Sequence, residues 1–364
     1  MSLSLYPSST ASSSKNGLPP STAASFSDRQ IHLPTFPSLK TKDLRSGHRS
    51  SVRCVNWSID GRKLATCGAD RLIRVWVPER SIDHRASTEL RGHTESVDQL
   101  CWHPTHPEVL ASASGDRSVR LWDARTRGET ATVVTPGANI NIAYHPNGEV
   151  VAVGDKTDTV SIIDISSNKV VHTVCSRRTT PPAGDGSWTE MTIRASGEEI
   201  NELSFSPDGS LLLLSSGSGS VHLHQTSDYK RVHSHSAHTA NVFCIQHEPL
   251  SRFVATASSD SMVSLWDCRE WFSVKMITSL AFPARAIGFS FDGELLAAGG
   301  EDPFISINAT CPSVGRDGEG DTVHKVMLGQ GSMINTLAWH PSKYVLAYAG
   351  DEQKEVGTVR VFNL

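Results

Sequence analysis

Long hydrophobic runs are missing from this chain of 364 residues. Because a membrane-spanning helix needs about 18 or more consecutive apolar residues, the sequence predicts no membrane span. The first residues also lack the apolar core of a secretory signal. An excess of basic residues is missing too, since 34 Lys and Arg stand against 38 Asp and Glu, a formal net charge of -4. The chain therefore lacks the basic footprint of a strong nucleic-acid binder.

Metal-binding and catalytic motifs are also missing. None of the seven cysteines forms a pair separated by two residues, and Cys54, Cys101 and Cys244 fall inside predicted strands. This pattern predicts reduced, mostly buried thiols of an intracellular protein, not a disulfide or zinc framework. No Gly-x-Ser-x-Gly elbow is present, and no glycine-rich turn opens a helix. We therefore predict no enzyme, no metal and no cofactor.

The N-terminal segment has too few apolar residues to build a core. Residues 1–33 are rich in Ser, Pro, Thr and Ala, a composition that predicts a disordered tail. A transit peptide is the competing interpretation, but the scarcity of Arg and the absence of an amphipathic pattern weaken it. The folded domain is accordingly predicted to span residues 34–364.

What the chain does contain is a repeat, seen most clearly in Ser96–Asp123, SVDQLCWHPTHPEVLASASGDRSVRLWD. Three short apolar runs are joined by a Pro-rich turn and a Gly-Asp turn. Gly92-His93 precede the unit, and Trp-Asp closes it. This order is typical of one blade of a WD-repeat β-propeller. We therefore predict an all-β chain folded as a WD40 propeller.

Seven copies of the unit follow one another from Gly47. Their third strands end at intervals of about 41 to 61 residues, at Trp76, Trp122, Ile163, His224, Trp266, Asn308 and Phe362. The two longest intervals contain Pro- and Gly-rich insertions at 176–189 and 310–322. The seventh copy leaves no residues for a fourth strand, and an open sheet edge would invite aggregation. The segment from about Thr35 to Arg45 is therefore predicted to supply that strand and close the ring.

Three blades carry a full set of polar residues at matching positions. Each set has an opening His, a Ser or Thr on the second strand, an Asp in the following turn and a Trp on the third strand. The sets are His48, Thr66, Asp70 and Trp76; His93, Ser112, Asp116 and Trp122; and His238, Thr256, Asp260 and Trp266. Because the same set occurs three times, we predict buried structural hydrogen-bond networks and not a repeated Ser-His-Asp catalytic triad.

A ring of side chains is predicted to face one mouth of the central channel. Alternation along each innermost strand, with the register taken from Asp98, gives Arg53, Asp98, Ile140, Asn201, Phe243, Arg285 and Asn335. This set is either a mixed solvated rim or a partner site anchored by Phe243 and the arginines, since aromatic residues and Arg are enriched in interface hot spots. Arg177-Arg178 in the first insertion is a further candidate contact for a phosphate or an acidic partner, with a solvated loop as the alternative.

Several segments go beyond a generic WD repeat. SVDQLCWHP, ATVVTPGANINIAYHPNGEVVAVG, MVSLWD, FPARAIGFSFDGELLA and the final GTVRVF together resemble the WD-repeat subunits of THO complexes, over roughly residues 40–364. The tail and the two insertions depart from that pattern. The resemblance implies a nuclear, non-catalytic scaffold that docks on the large THO subunit. It also implies a complex that works with a DEAD-box RNA helicase and an RNA-binding export adaptor to couple transcription to messenger-particle assembly and mRNA export.

Other functions remain open on the sequence alone. A WD40 substrate receptor of a ubiquitin ligase, or a histone-binding propeller, is the main alternative, although no adaptor-binding element is evident outside the repeats. Direct RNA binding would need clustered Lys and Arg, so nucleic acid is expected to be contacted only through the complex. Neither the docking face nor the stoichiometry follows from the repeats.

Overall fold

Short apolar strands joined by tight turns form seven sheets around a central channel, and all but one of these sheets are wholly antiparallel. The structure is a computed structural model and describes residues 31–44, 47–175, 193–194, 199–311, 322–329, 331–351 and 357–364. The predicted seven-bladed β-propeller is confirmed. Within the described residues the only helices are two 3-10 turns, Phe36–Ser38 and His84–Ala86. No helix among these residues is long and apolar enough to cross a membrane.

Each blade begins at the channel and ends at the outer rim. Blade one comprises Val52–Trp57, Leu64–Gly68, Ile73–Trp76 and Thr88–Leu90. Blade two comprises Val97–Trp102, Val109–Ser114, Ser118–Asp123 and Gly128–Val134. Blade three comprises Asn139–Tyr144, Val150–Asp155, Thr159–Asp164 and Lys169–Cys175, and adds a short parallel strand, Ile193–Arg194. The sequence does not predict this fifth strand.

The remaining blades repeat the same arrangement. Blade four comprises Ile200–Phe205, Leu211–Ser216, Ser220–Gln225 and Arg231–Ser236. Blade five comprises Val242–His247, Phe253–Ser258, Val263–Asp267 and Ser273–Ile277. Blade six comprises Ala284–Phe289, Leu295–Gly300, Phe304–Ala309 and Thr322–Met327. Blade seven comprises Met333–Trp339, Leu346–Asp351 and Val359–Phe362, and its outer strand is Thr41–Leu44.

The ring closes by pairing the two ends of the chain. Thr41–Leu44 runs antiparallel to Val359–Phe362, with Thr41 opposite Phe362 and Leu44 opposite Val359. The strand is shorter than the predicted stretch of residues 35–45, because Phe36–Ser38 forms a 3-10 turn. The predicted N-terminal closing strand is confirmed. First strands of successive blades contact each other around the ring, including blade seven against blade one.

The residues before the closing strand also pack on the ring. Phe36 is buried, and its ring packs beside the His324 and Phe362 rings, at centroid distances of 5.7 and 6.4 Å. Leu33 and Leu39 pack against the same apolar cluster, which lies between blades six and seven. Leu33 falls inside the segment predicted as tail, so packed residues extend at least to position 33. Most of the predicted tail lies outside the described residues.

The structure describes both ends of the second predicted insertion and none of the first. Residues 176–189 lie outside the described part of the chain, and with them Arg177-Arg178. At the second insertion, Thr310 is buried and its backbone amide donates to the Glu294 carbonyl at 3.0 Å. Thr322 begins the fourth strand of blade six. The second insertion is therefore shorter than the predicted residues 310–322, because ordered structure extends into it from both ends.

Tryptophan and histidine at the end of a first strand join neighbouring blades. In blade seven, the Trp339 indole donates to the Gly288 carbonyl of blade six at 3.0 Å. The next residue, His340, bonds through Nε2 to the Gly61 carbonyl of blade one at 3.0 Å. In blade two the Trp102 indole donates in the same way to the Asn56 carbonyl of blade one, at 3.0 Å. A Trp-His pair therefore fixes a blade to the neighbour on each side.

Gly61 offers a test of this junction. Its φ is +70°, and an added Cβ would lie 2.3 Å from the His340 ring. We expect Gly61→Ala to lower the free energy of unfolding by about 2 kcal/mol, because left-handed backbone strain adds to overpacking. Gly128→Ala is the matched control, since its Cβ would meet its nearest atom at 3.7 Å. Equal denaturant midpoints for the two variants would contradict the expectation.

Candidate interaction site at the channel mouth

The structure brings together the four polar residues of each complete set. In blade two, the Trp122 indole donates to Ser112 Oγ at 2.8 Å, and His93 Nε2 lies 2.7 Å from the same hydroxyl. His93 Nδ1 lies 2.9 Å from the Asp116 carboxylate. The other two sets have the same connectivity, with every corresponding distance between 2.8 and 3.0 Å. Their members are His48, Thr66, Asp70 and Trp76 in blade one, and His238, Thr256, Asp260 and Trp266 in blade five.

The groups at the two ends of this chain of hydrogen bonds determine which atom donates at each step. An indole N–H can only donate and a carboxylate can only accept, so Ser112 donates to His93 Nε2 and His93 Nδ1–H donates to Asp116. Burial would raise the pKa of Asp116, but bonds from the Ser118 hydroxyl, the Thr94 amide and His93 lower it to about 2. Burial lowers the pKa of His93, which favours the neutral ring that this chain of bonds needs. Ser112 and Thr66 are fully buried, so neither hydroxyl is accessible to a substrate.

Blade six holds its opening loop with a different polar set. Asp302 accepts the backbone amides of Ala281 and Phe282, both at 3.1 Å, although no His opens this blade. Ser306 replaces the central hydroxyl, lying 2.8 Å from Ser279 Oγ and 2.7 Å from Asn308 Nδ2. The turn Asp therefore keeps its position while the remaining groups change.

All seven side chains predicted to face the channel mouth line the central cavity. They are Arg53, Asp98, Ile140, Asn201, Phe243, Arg285 and Asn335. The two arginines are exposed, whereas the other five are half-buried. We call this set the channel mouth. It combines two cations, one carboxylate, two amides and two apolar groups on a single rigid ring.

Asp98 lies between cations from the two adjacent blades. Its carboxylate accepts a bond from Ser96 Oγ at 3.1 Å and lies 4.0 Å from Arg53 Nε. Burial raises the pKa of Asp98, and the bond from Ser96 and the charges of Arg53 and Lys156 oppose that shift. Because 4.0 Å is long for an ion pair, the Asp98 carboxylate is held only loosely by Arg53.

Arg285 and Phe243 form the most compact part of the mouth. The Arg285 guanidinium lies 5.3 Å from the centre of the Phe243 ring and pairs with Glu301 Oε1 at 2.7 Å. In the adjacent blade seven, Asn335 Nδ2 bonds to Asp351 Oδ2 at 3.1 Å. A cation held over an aromatic face is a typical interface anchor. The mouth therefore offers an aromatic-cation anchor beside a side-chain amide that the protein itself holds in place.

Within the described residues, no group of three or more His, Cys, Asp or Glu side chains could hold a metal ion. The histidines of the His-x-His runs contact other groups of the protein. His222 Nδ1 bonds to Ser234 at 2.9 Å, and His224 Nδ1 to the Tyr229 carbonyl at 2.8 Å. The His235 ring packs edge-on against Trp266 at 4.4 Å.

Sequence reasoning missed a second layer of the channel, one residue below the mouth. Gln99 Nε2 donates to both carboxylate oxygens of Glu202, at 3.2 and 3.1 Å, although the two residues belong to blades two and four. The Gln99 carbonyl accepts the Ile142 backbone amide of blade three. The only signal of this layer in the sequence was Gln99, a polar residue at a position where the blade pattern does not require one.

Comparison with known proteins agrees with the fold and assigns a family. The model of the THOC3 beta-propeller domain matches residues 48–349. THO complex subunit 3 of Arabidopsis thaliana is 36% identical over 333 residues, which cover 90% of this chain and 96% of that protein. WD repeat-containing protein AAC3 of Dictyostelium discoideum is 26% identical, over 93% of this chain and 70% of that protein.

A solved structure supports the architecture independently. The β-propeller domain of Myceliophteria thermophila Cps50 (Swd1) superposes with a TM-score of 0.72 at 18% identity, over 90% of this chain and 99% of that one. At this identity the likeness concerns the fold alone. The family match and the Arabidopsis relative confirm the resemblance carried by the repeat motifs. The chain belongs to the THO complex subunit 3 family of WD40 β-propellers.

Proposed function

We propose that this protein is a non-catalytic scaffold subunit of a nuclear THO complex, and that the complex couples transcription to messenger-particle assembly and mRNA export. The supporting observation is the family match, which extends along most of the propeller. Its partners are the other THO subunits, with the large scaffold subunit as the direct one. A DEAD-box RNA helicase and an RNA-binding export adaptor act with the complex.

The channel mouth is the proposed docking surface. Its backbone is fixed by the innermost strands, so a partner meets side chains that are already positioned, which reduces the entropy cost of binding. Phe243 and Arg285 supply the anchor, and Asp98 supplies the opposite charge. The chain's acidic balance supports contact with RNA through the complex and not by this subunit alone.

Capture from nuclear extract tests both parts of the proposal. We expect the tagged protein to recover the large THO subunits, and Phe243→Ala combined with Arg285→Ala to reduce that recovery at least tenfold. Loss of one central aromatic or Arg anchor typically costs about 2 kcal/mol or more. Subunit abundance is measured by quantitative mass spectrometry, with matched melting temperatures to confirm folding.

Ile59→Ala is the control for the docking face. Ile59 is 52% exposed and lines the same channel, but it follows the end of a first strand and so lies at the opposite opening. We expect this variant to capture THO subunits normally. If Ile59→Ala abolishes capture and the double variant does not, the other face docks. Recovery of a cullin adaptor in place of THO subunits would instead support the ubiquitin-ligase alternative.

A further inference from the structure

Below the channel mouth, the next residue of each first strand forms a second ring around the channel. Its members are Cys54, Gln99, Asn141, Glu202, Cys244, Ala286 and Thr336, all of which line a cavity of about 660 Å³. Glu202 is the only carboxylate in this ring. A single acid therefore lies in a channel segment whose other side chains are amides, thiols, a hydroxyl and a methyl group.

Neighbouring groups satisfy only part of the hydrogen-bonding capacity of Glu202. Its carboxylate accepts Gln99 Nε2 and, at 3.2 Å, the Leu203 backbone amide. Gln99 is held in this orientation because its carbonyl bonds to the Ile142 amide. An ionised carboxylate offers about four acceptor positions, so some stay open toward the channel. Among the described residues, no Lys or Arg forms an ion pair with Glu202.

Both arginines above Glu202 are already paired. At the mouth, Arg53 lies beside Asp98, and Arg285 pairs with Glu301. Lys156 adds a further positive charge near Asp98. These groups do not neutralise the acid in the layer below.

The titratable groups beside and below Glu202 carry no positive charge at neutral pH. Burial raises the pKa of Cys244 to about 12, and it raises the pKa of the Cys101 thiol as well. Cys54 bonds through its Sγ to the Leu100 carbonyl at 3.6 Å. Below the ring, burial lowers the pKa of His247 to about 4, so its ring is neutral. Burial also raises the pKa of Tyr144.

We propose that the channel below the mouth binds a cationic side chain of a partner protein, with the Glu202 carboxylate as its counter-ion. The occupant is the guanidinium of an arginine, because its fork of N–H donors matches a carboxylate edge and the surrounding neutral acceptors. This inference extends the proposed docking function, and the identity of the partner rests on that function. The chemistry of the site does not rest on it.

The protonation of Glu202 adds a measurable signature. Burial raises the pKa of Glu202 to about 7, with Gln99 and the Leu203 amide opposing the shift. A cation binds the ionised form only, so binding strengthens as the pH rises through that value. Between pH 6 and pH 8 the ionised fraction, and with it the affinity, increases about tenfold.

Small probes test the site on the full chain. N-acetylarginine N-methylamide is the cationic probe, and the corresponding citrulline derivative is its neutral isostere. Ligand-observed NMR titration at pH 8 is expected to show binding of the arginine probe that Glu202→Gln weakens at least tenfold. Citrulline binding is expected to be weak and equal in both proteins. The lysine derivative, measured in parallel, is expected to bind less tightly than the arginine probe.

Glu95→Gln is the matched control, because Glu95 is an exposed carboxylate on the loop that leads into the first strand of blade two. It is expected to bind the arginine probe as the wild type does. Unchanged affinity in Glu202→Gln, equal affinity for the citrulline probe, or no rise with pH would overturn the inference. Because the readout uses purified protein, failure of THO capture from extract with retained probe binding would reject the proposed complex and leave the site intact.

Discussion

Deleting residues 1–46 should lower the melting temperature by about 10 °C or more, whereas deleting residues 1–30 should leave it unchanged. The longer deletion removes Thr41–Leu44 and exposes the edge of Val359–Phe362. It also removes Phe36 and Leu44, which are 3% and 0% exposed. Burial of each side chain contributes about 1.5–3 kcal/mol, and 1 kcal/mol corresponds to about 2–4 °C in a domain of 150–250 residues.

A point substitution separates loss of packing from loss of the strand. Phe36→Ala keeps Thr41–Leu44 but removes the ring that packs beside His324 and Phe362. We expect a loss of about 3 kcal/mol. Phe272→Ala is the control, since Phe272 is 55% exposed and far along the chain. Melting followed by circular dichroism measures all four proteins. Similar melting temperatures for both deletions would show that the closing strand contributes nothing.

Asp116→Ala should destabilise the protein by about 3–5 kcal/mol at neutral pH. The carboxylate accepts bonds from His93, the Thr94 amide, and the amide and hydroxyl of Ser118. Removing it leaves these donors without their partner, and His93 then loses the group that fixes its tautomer. Asp228→Ala is the control, because that exposed carboxylate forms a surface pair with Lys230, and loss of such a pair is expected to change the stability little.

The effect of Asp116→Ala should depend on pH with a defined sign. The folded-state pKa of Asp116 is about 2, below its ordinary value of about 3.9. The stability that this carboxylate contributes is therefore present above pH 4 and lost as the pH falls toward 2. Denaturant titrations of wild type and variant should converge over that range. A difference that stays constant from pH 5 to pH 2.5 would mean that ionisation of Asp116 does not contribute.

Periodicity could predict the fold because each blade repeats the same local information. Alternation placed the strands, and the turn residues separated them. The register of one inner strand selected seven side chains, all of which line the central cavity, and their role as a partner site stays a prediction. In contrast, the parallel strand Ile193–Arg194 follows a long non-repetitive segment, so no repeat predicts it. The closing strand was predicted too long because local propensity does not show where Phe36 turns the chain onto the core.

The motif SVDQLCWHP shows where sequence reasoning stopped. The blade pattern explains Val97, Leu100 and Trp102, and leaves the other residues without a structural role. In the structure, Trp102 also donates to blade one, and His103 packs against Gly148 of blade three. Gln99 bonds to blades three and four. These contacts join residues far apart in the chain, and a single sequence does not show which distant residue each polar group meets.

The pairing of Thr41–Leu44 with Val359–Phe362 also constrains the order of folding. If the ends met first in an unfolded chain, loop closure alone would cost roughly 5 kcal/mol. Six stacked blades bring the two ends together beforehand, so the closing strand then adds its contacts at little entropic cost. Until Phe362 has been synthesised, Thr41–Leu44 has no partner strand in this sheet. Although Thr41–Leu44 is the most N-terminal strand of the propeller, it is therefore the last to pair. Until it pairs, the edge of Val359–Phe362 stays open to other chains.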